Sequence, residues 1–355
     1  MKKNFTIGNH KLGLNYPTYF IADIASNHDG SLSKAKELIH ACAEAGANAA
    51  KFQNFTGESL ICDSAFKKIG NIAHQLDWNE STFKGYNKVS VPLNWSLHLK
   101  EECQKAKIDY FTSPYKLDFI DELEEHVCAW KVGSGDITFH DSIEKMAKQN
   151  KPIILASGAS NITEVKEAVK LAIKYNDNVA LMQCNTNYTG SRDNFKFINL
   201  NVLHTFKKLF PEILLGLSDH TPGHSTVLGA VAIGARIVEK HFTDNNDLKG
   251  PDHKFSMSPK DWKNMVDNTR ELEDSLGIYE KKIEDNEKET VIIQRRGIRA
   301  KKNILKGEII KEIDLAYLRP CTEECLPPNK KNLVIGKKAN INIIEGDSIN
   351  LNNVK

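Results

Sequence analysis

The feature that most constrains the fold is a series of eight short apolar runs spread over the first three quarters of the chain. Because each run is apolar or β-branched at consecutive positions, the strand that it predicts would be buried on both faces, as in a parallel sheet. Segments with helical periodicity separate the runs. The eight runs are YFIADIAS, NAAKFQNF, DYFTSPY, AWKVGSGD, PIILASG, VALMQCN, ILLGLSDH and RIVEKHFTD.

Eight alternating strands and helices predict an α/β fold, a (β/α)8 TIM barrel over residues 1–277. An open doubly wound sheet is the alternative, although such sheets usually have fewer strands. In the helix after the fifth run, we expect the buried face to consist of Ile162, Val165, Val169 and Ile173. Residues 278–290 are charged and lack an apolar stripe, which is typical of a linker.

The tail, residues 291–355, carries a short internal repeat that predicts a small β-rich domain. The segments ILKGEII (304–310) and IIEGDSI (343–349) share the pattern I-x-x-G-acid-x-I. A glycine followed by an acid between apolar positions is typical of a turn between two short strands. We therefore expect two strand–turn units in this domain.

Composition and charge exclude several functional classes. The net charge is +2, with 40% hydrophobic and 26% charged residues, so no general attraction to nucleic acid or membranes is expected. No apolar run reaches the roughly 20 residues that a membrane span needs. The first residues, MKKNFTIGNHKLG, contain no apolar signal-peptide core. Seven scattered cysteines, an odd number with no CxxC pair, are typical of reduced thiols, and together these features predict a cytoplasmic protein.

Polar residues stand at the C-terminal end of every predicted strand, where a barrel places its reactive groups. Lys51 and Lys131 end the second and fourth strands, and glycines and serines lie near them. Lysine and hydroxyl donors together suit a phosphate or carboxylate ligand. A different interpretation is a lysine Schiff base, as in class I aldolases. The spacing of the residues leaves both open.

Two adjacent predicted strands end in histidine, at His220 and His241. Neighbouring parallel strands lie about 5 Å apart, so the two imidazoles could share one ligand. Two neutral imidazoles supply half of a divalent metal site, and a set this sparse suits Mn²⁺ better than zinc. Histidines that hydrogen-bond carboxylates are the alternative. Asp252, just after the eighth run, could orient one histidine or hold a substrate hydroxyl.

The motifs resemble those of the sialic acid synthases, the family that makes N-acetylneuraminic, legionaminic and pseudaminic acids. The resemblance runs through nearly the whole chain, in the family's order. The tail segment IRAKKNILKGEIIKEIDLAYLRP is similar to the antifreeze-like (SAF) domain of that family. The motifs in the barrel are IADIASNHDGS, AKFQ, WKVGSGD, PIILASG, GLSDHT, VEKHFTD and GPDHKFSM.

This resemblance implies a metal-dependent condensation of phosphoenolpyruvate with an amino sugar, N-acetylmannosamine or a 2,4-diacetamido-trideoxyhexose. It implies Mn²⁺ at His220 and His241, with Mg²⁺ or Co²⁺ as alternatives, and a domain-swapped homodimer. The catalytic residues would be Asp23, Lys51, Lys131 and Asp136. The substrate-binding residues would be Gln53, Asn71, Ser134, Ser157, Tyr188, Ser218, Asp252 and, from the partner's tail, Arg319.

Three features depart from the family pattern. Asp23 and Asp136 stand where the family usually has glutamate, so each carboxylate has one methylene less of reach, about 1.5 Å. The insertion around residues 66–90 is also unlike the plain neuraminate synthases. The shortened acids are the basis of an alternative hypothesis, in which the chain is a family member that binds sugar without catalysis. The intact lysines and histidines oppose this hypothesis.

Overall fold

Strands and helices alternate through the first 277 residues of the computed structural model, which describes residues 4–70 and 81–355. The strands are β1 (Phe5–Ile7), β2 (His10–Leu12), β3 (Tyr19–Asp23), β4 (Ala49–Asn54), β5 (Asp109–Pro114), β6 (Trp130–Val132), β7 (Ile153–Ala156), β8 (Val179–Cys184), β9 (Leu214–Asp219), β10 (Ile237–His241), β11 (Gly297–Ala300) and β12 (Leu315–Leu318). The α-helices are α1 (Leu32–Glu44), α2 (Gly57–Leu60), α3 (Asp63–Ile69), α4 (Thr82–Lys88), α5 (Ser96–Lys105), α6 (Leu117–Leu123), α7 (His140–Ala147), α8 (Ile162–Tyr175), α9 (Val202–Leu209), α10 (Ser225–Ile233), α11 (Pro259–Leu276) and α12 (Lys288–Gln294). None of these helices is both long and apolar enough to span a membrane.

Strands β3 to β10 form a closed parallel barrel in chain order, and β10 pairs with β3 to complete it. The predicted (β/α)8 barrel is therefore confirmed. The register places Asp23 opposite Lys51 of β4 on one side and opposite His241 of β10 on the other. Barrel closure thus brings the first predicted strand beside the last, more than 200 residues later in the chain.

The helix α8 shows how the barrel selects the buried face of a helix. Ile162 and Ile173 are 41% and 46% exposed, so their predicted place in the core is wrong. At 100° per residue they lie on the same flank of the buried stripe, roughly 70° and 90° from its centre. Small side chains within the stripe let the helix approach the strands closely. The stripe consists of Val165, Ala168, Val169 and Ala172.

A long connection between β4 and β5 holds the predicted insertion. It contains the short helices α2, α3 and α4. The side-chain amide of Asn54 donates to the backbone oxygen of Val91 over 3.0 Å, and this contact joins the end of β4 to the residue that follows the predicted insertion. Residues 71–80, and with them Asn71, lie outside the described residues.

The chain divides into two compact units, Met1–Gly277 and Ile278–Lys355. In the second unit, the two copies of the repeat pair with each other. Ile304 and Ile343 exchange two backbone hydrogen bonds of 2.9 Å each. Gly307 and Gly346 occupy equivalent turns at φ values of +90° and +89°, a conformation that favours glycine. Residues 278–290 are exposed throughout.

Candidate active site

A cavity of about 360 Å³ opens at the C-terminal ends of the barrel strands. Its described lining includes most of the residues that the sequence motifs single out, although they come from separate strands. Charged groups form its floor, and the barrel core closes it from below. The predicted residues that line it are Asp23, Lys51, Gln53, Lys131, Ser134, Asp136, Tyr188, Ser218, His220, His241 and Asp252.

Three further predicted residues are not among those that the structure shows in the cavity lining. Ser157 does not line it, because its hydroxyl donates to the backbone oxygen of Met182 over 3.0 Å instead. Asn71 lies outside the described residues. Arg319 belongs to the second unit. Ser134 does line the cavity, and the backbone N–H of Gly158 donates to its hydroxyl oxygen over 3.1 Å.

Lys51 lies in the floor of the cavity with two carboxylates. Its ammonium nitrogen is 2.7 Å from Asp23 Oδ2 and 3.9 Å from Glu239 Oε2. Burial alone would lower the pKa of Lys51, but the carboxylates of Asp23 and Glu239 outweigh that effect and raise it. Lys51 is therefore a protonated cation at neutral pH. It can bind an anion, but it is a poor nucleophile.

Glu239 is a central member of the site that the motifs do not assign. Its Oε1 lies 3.3 Å from the ammonium of Lys131 and accepts a 3.2 Å hydrogen bond from the hydroxyl of Ser218. Its Oε2 has no hydrogen-bond partner among the described residues, although it is buried. Glu239 precedes His241 by two positions in β10. Strand alternation, which puts such residues on the same face, is the sequence signal that could have found it.

The residues that alternate with the site form a second ion pair on the outer face of the barrel. Lys240 and Asp219 pair with side-chain exposures of 1% and 0%. The hydroxyls of Thr221 and Thr226 each donate to Asp219 Oδ2 over 2.8 Å. Each charged residue directly precedes a histidine of the site in the chain. The ion pair therefore fixes the strand ends that carry His220 and His241.

The two histidine rings lie with their centroids 5.4 Å apart. Tyr188 packs edge-on against His220 at 4.5 Å, and Phe255 packs against His241 at 4.8 Å. His220 Nδ1 lies 3.0 Å from the backbone oxygen of Asn185, to which it can only donate, so Nε2 is left as its potential ligand atom. The rings are thus held side by side by an aromatic wall.

The surroundings of His241 favour its neutral form. Burial lowers the pKa of His241 to about 3, whereas contact with the Cys184 thiol and the Asn185 carbonyl raises the pKa of His220 despite its burial. His241 Nδ1 is buried without a hydrogen-bond partner among the described residues. Its Nε2 lies 3.5 Å from Asp23 Oδ2. A neutral imidazole with an unsatisfied buried nitrogen fits a metal ligand.

The charge balance of the cavity also fits a divalent cation. Its described lining contains four carboxyl groups but only two lysines, an excess of two acids when the histidines are neutral. The described residues include no group of three or more histidine, cysteine or acidic side chains arranged to hold a metal. His220 and His241 are the two imidazoles in the described lining. The four carboxyl groups belong to Asp23, Asp136, Glu239 and Asp252.

Two of these acids have distinct environments. Burial raises the pKa of Asp136 to about 6, so this carboxyl changes protonation close to neutral pH. Asp252 accepts a 3.0 Å hydrogen bond from the backbone N–H of Ser26, and its Oδ2 lies 4.0 Å from His241 Nδ1. Asp136 is therefore suited to proton transfer, while Asp252 is held beside a histidine.

Comparisons with known proteins agree with this geometry. The chain is 34% identical to the N,N'-diacetyllegionaminic acid synthase of Campylobacter jejuni over 85% of this chain and 90% of that protein. It is 36% identical to an uncharacterized protein of Methanocaldococcus jannaschii, over 88% of each chain. The crystal structure of N-acetylneuraminic acid synthetase from Leptospira borgpetersenii is 30% identical, with a TM-score of 0.71 over 82% of this chain and 96% of that one. The NeuB family model matches residues 38–281, and the chain therefore belongs to the NeuB family of sialic-acid-type synthases.

Proposed function

We propose that this protein joins phosphoenolpyruvate to the open-chain aldehyde of an N-acetylated hexosamine and releases phosphate. Carbon 3 of phosphoenolpyruvate bonds to the aldehyde carbon, and water adds to carbon 2. The bond between carbon 2 and the phosphate oxygen then breaks, which leaves a nine-carbon 2-keto acid. The observation that carries the proposal is the buried floor in which Glu239 lies between Lys51 and Lys131, beside two histidines.

The floor of the cavity suits the phosphate and carboxylate of phosphoenolpyruvate. Lys51 and Lys131 supply fixed positive charge in a buried setting, where electrostatic attraction is stronger than in water. The hydroxyls of Ser134 and Ser218 add neutral donors to the same lining. Glu239 accepts from Ser218 and pairs with Lys131, so it fixes the directions of both groups.

Asp23 and Asp136 are suited to handle protons. Asp136, with a pKa of about 6, can take a proton from the attacking water and return it at neutral pH. Asp23 faces Lys51 and Gln53, with its Oδ2 3.4 Å from the amide nitrogen of Gln53, and its negative charge would stabilise positive charge that develops at carbon 2. Tyr188 and Asp252 would contact the sugar at the mouth of the cavity.

His220 and His241 would hold a divalent metal, for which we propose Mn²⁺, with Mg²⁺ or Co²⁺ as alternatives. When bound, the metal would act as a Lewis acid on the aldehyde oxygen. The two residues themselves supply buried, side-by-side imidazoles, one of which has an unsatisfied nitrogen. The excess of acids around them would be neutralised by a divalent charge.

A lysine Schiff base is the second candidate chemistry, and the structure disfavours it. A Schiff base requires a neutral amine, whereas the carboxylates around Lys51 raise its pKa. Borohydride with a keto acid present would trap a Schiff base as a mass increase on Lys51 or Lys131. We expect no such adduct, and an adduct would replace the condensing mechanism with an aldolase mechanism.

The deciding experiment measures phosphate release from phosphoenolpyruvate with Mn²⁺ and, in separate reactions, N-acetylmannosamine and the 2,4-diacetamido-trideoxyhexoses. We expect release that EDTA abolishes. Lys131→Met should lose it, while Lys148→Met should retain it, because Lys148 lies at the C-terminal end of α7 and pairs with Glu144 at the surface. If the folded, metal-loaded protein released no phosphate with any of these sugars, the proposed reaction would be contradicted.

We further propose that Arg319 reaches the sugar in the barrel of a partner subunit, in a domain-swapped homodimer. Arg319→Ala should then raise KM for the sugar far more than for phosphoenolpyruvate, and exposed Arg295→Ala serves as the control. Mixed dimers of Arg319→Ala and Lys131→Met subunits provide a direct test. Swapped tails restore one complete site per mixed dimer, whereas unswapped tails restore none.

A further inference from the structure

Residues 252–255, which follow β10 in the chain, place two side chains against His241. Asp252 lines the cavity, and its Oδ2 lies 4.0 Å from His241 Nδ1. The ring of Phe255 packs against the same imidazole, with centroids 4.8 Å apart. His241 Nδ1 has no hydrogen-bond partner among the described residues. The direction of this imidazole therefore depends in part on how residues 252–255 are held.

His253 lies between these two contacts in the chain, but it does not line the cavity. Its side chain is fully buried, and its Nε2 lies 3.1 Å from Asp29 Oδ1, in the connection between β3 and α1. An ionised carboxylate can only accept, so Nε2 carries a proton and donates it. Nδ1 lies 2.6 Å from the hydroxyl oxygen of Thr243, from which it accepts in the neutral ring. Both ring nitrogens are thus satisfied, by groups from two separate segments.

Asp29 is itself held in place. Its Oδ2 lies 2.6 Å from the ammonium nitrogen of Lys34, in the first turn of α1. A hydrogen bond to an ionised group is stronger than one between neutral groups. On its other side, a Cβ at Gly250 would lie 2.7 Å from Cδ2 of the His253 ring, so glycine lets the preceding loop close over the imidazole. The imidazole of His253 is therefore enclosed and bonded to a fixed partner.

The backbone of the same segment has a separate support. The side-chain amide of Asn246 donates to the backbone oxygens of His253 and Ser256 over 2.8 Å and 2.6 Å. The hydroxyl of Ser256 donates to the backbone oxygen of Asp252 over 2.6 Å. Removal of the His253 side chain should therefore loosen this segment without releasing it.

We propose that His253 is a positioning residue for His241. Held by Asp29, its imidazole keeps Asp252 and Phe255 beside the ring of His241 and so fixes the direction of that ring. The inference rests on the proposed function, in which His241 binds the metal and Asp252 contacts the sugar. The lysines that would bind phosphoenolpyruvate lie on other strands. His253 should thus affect the binding of Mn²⁺ and of the sugar, but not that of phosphoenolpyruvate.

Calorimetry of His253→Ala measures the Kd for Mn²⁺ without turnover. We expect a rise of roughly ten-fold or more, since loss of a group that orients a metal ligand costs about that factor. His253→Gln keeps a donor for Asp29 and should recover part of the affinity. In phosphate release by His253→Ala, the KM for the sugar should rise while the KM for phosphoenolpyruvate stays unchanged. Exposed His140→Ala is the matched control and should behave as the unchanged protein does.

Asp29→Ala tests the same contact from the side of the partner, whose side chain is 37% exposed, so no large buried volume is lost. It should weaken Mn²⁺ binding to a similar degree, and the double variant with His253→Ala should be no weaker than either single variant. Thermal unfolding checks that each variant folds.

Unaltered Mn²⁺ affinity in Asp29→Ala and in folded His253→Ala would overturn the positioning role and leave the proposed reaction standing. An equal rise in KM for both substrates would also overturn it. Failure of the unchanged protein to bind Mn²⁺ would remove the positioning role together with the metal site. The predicted losses of Mn²⁺ affinity without phosphate release from any sugar would contradict the reaction alone.

Discussion

The ammonium nitrogen of Lys51 lies 2.7 Å from Oδ2 of Asp23, and both side chains are only 3% exposed. Oδ1 of the same carboxylate accepts a 3.1 Å hydrogen bond from the backbone N–H of Ala25. Both carboxylate oxygens are thus engaged at the length of an aspartate side chain. The acid that is shorter than the family pattern is fitted to its surroundings in this chain.

Asp23→Glu should therefore lower kcat even though it restores the usual family residue. The added methylene moves the carboxylate by about 1.5 Å, away from its contacts with Lys51 and Ala25. A displacement of this size costs roughly 100-fold in rate. The measurement is steady-state phosphate release, with the exposed Asp267→Glu as control. A fully active variant would mean that the site is not built around the shorter acid.

His220→Ala and His241→Ala should each weaken Mn²⁺ binding. Loss of one imidazole removes a nitrogen ligand that the described residues do not replace. We expect at least a roughly 100-fold rise in the Kd for Mn²⁺, measured by calorimetry without turnover. His204→Ala, at an exposed position of α9, should bind as the unchanged protein does. Unaltered Mn²⁺ affinity in both site variants would exclude the proposed metal ligands.

The rate should depend on pH through Asp136. Its pKa is raised by burial to about 6, so the carboxylate is lost as the pH falls through that value. We expect kcat to decline below about pH 6, and Asp136→Asn to be slow and without this acidic limb. Exposed Asp141→Asn should keep it. An acidic limb that persists in Asp136→Asn would assign it to another group.

The same raised pKa predicts the sign of a stability change. A carboxyl with a raised folded-state pKa stabilises the fold below its ordinary pKa, and this contribution is lost as the pH rises through the folded value. The stability of Asp136→Asn relative to the unchanged protein should thus increase as the pH rises from about 4 to about 6, and the difference should persist at higher pH. Urea unfolding at pH 4, 5 and 8 measures this. A gain that does not change with pH would contradict it.

Lys240→Met should destabilise the barrel, although Lys240 does not line the cavity. The substitution leaves the buried carboxylate of Asp219 without its cation, with the hydroxyls of Thr221 and Thr226 as remaining donors. Breaking a buried ion pair in this way costs about 3 kcal/mol or more in the free energy of unfolding. Lys148→Met, which breaks a surface pair, should leave unfolding unchanged. Equal free energies of unfolding for Lys240→Met and Lys148→Met would show that the buried ion pair does not stabilise the barrel.

Much of the fold could be predicted from the chain because strand patterns are local. A run that is apolar on both faces predicts a buried parallel strand wherever it occurs, and eight of them with helices between predict a barrel. The buried face of α8 was predicted only in part. Val165 and Val169 face the strands, whereas Ile162 and Ile173 do not, since neighbouring elements decide which side of a wide apolar stripe is covered.

Most of the residues that the motifs single out line one cavity, since residues at the C-terminal ends of barrel strands share one mouth. They could not assign Glu239, whose importance arises from its position between two lysines on other strands. Nor could they show that the hydroxyl of Ser157 turns to the backbone of Met182. These outcomes depend on side-chain directions and on contacts across strands.

The sequence by itself determined the eight strands, the polar groups that end them and the family to which their order belongs. Only the tertiary structure decided which of those groups meet. Asp23 contacts His241 across 218 positions of sequence because barrel closure sets β3 against β10 in a fixed register. The charge balance of the cavity likewise arises when distant segments are packed together, because electrostatic attraction acts through space rather than along the chain.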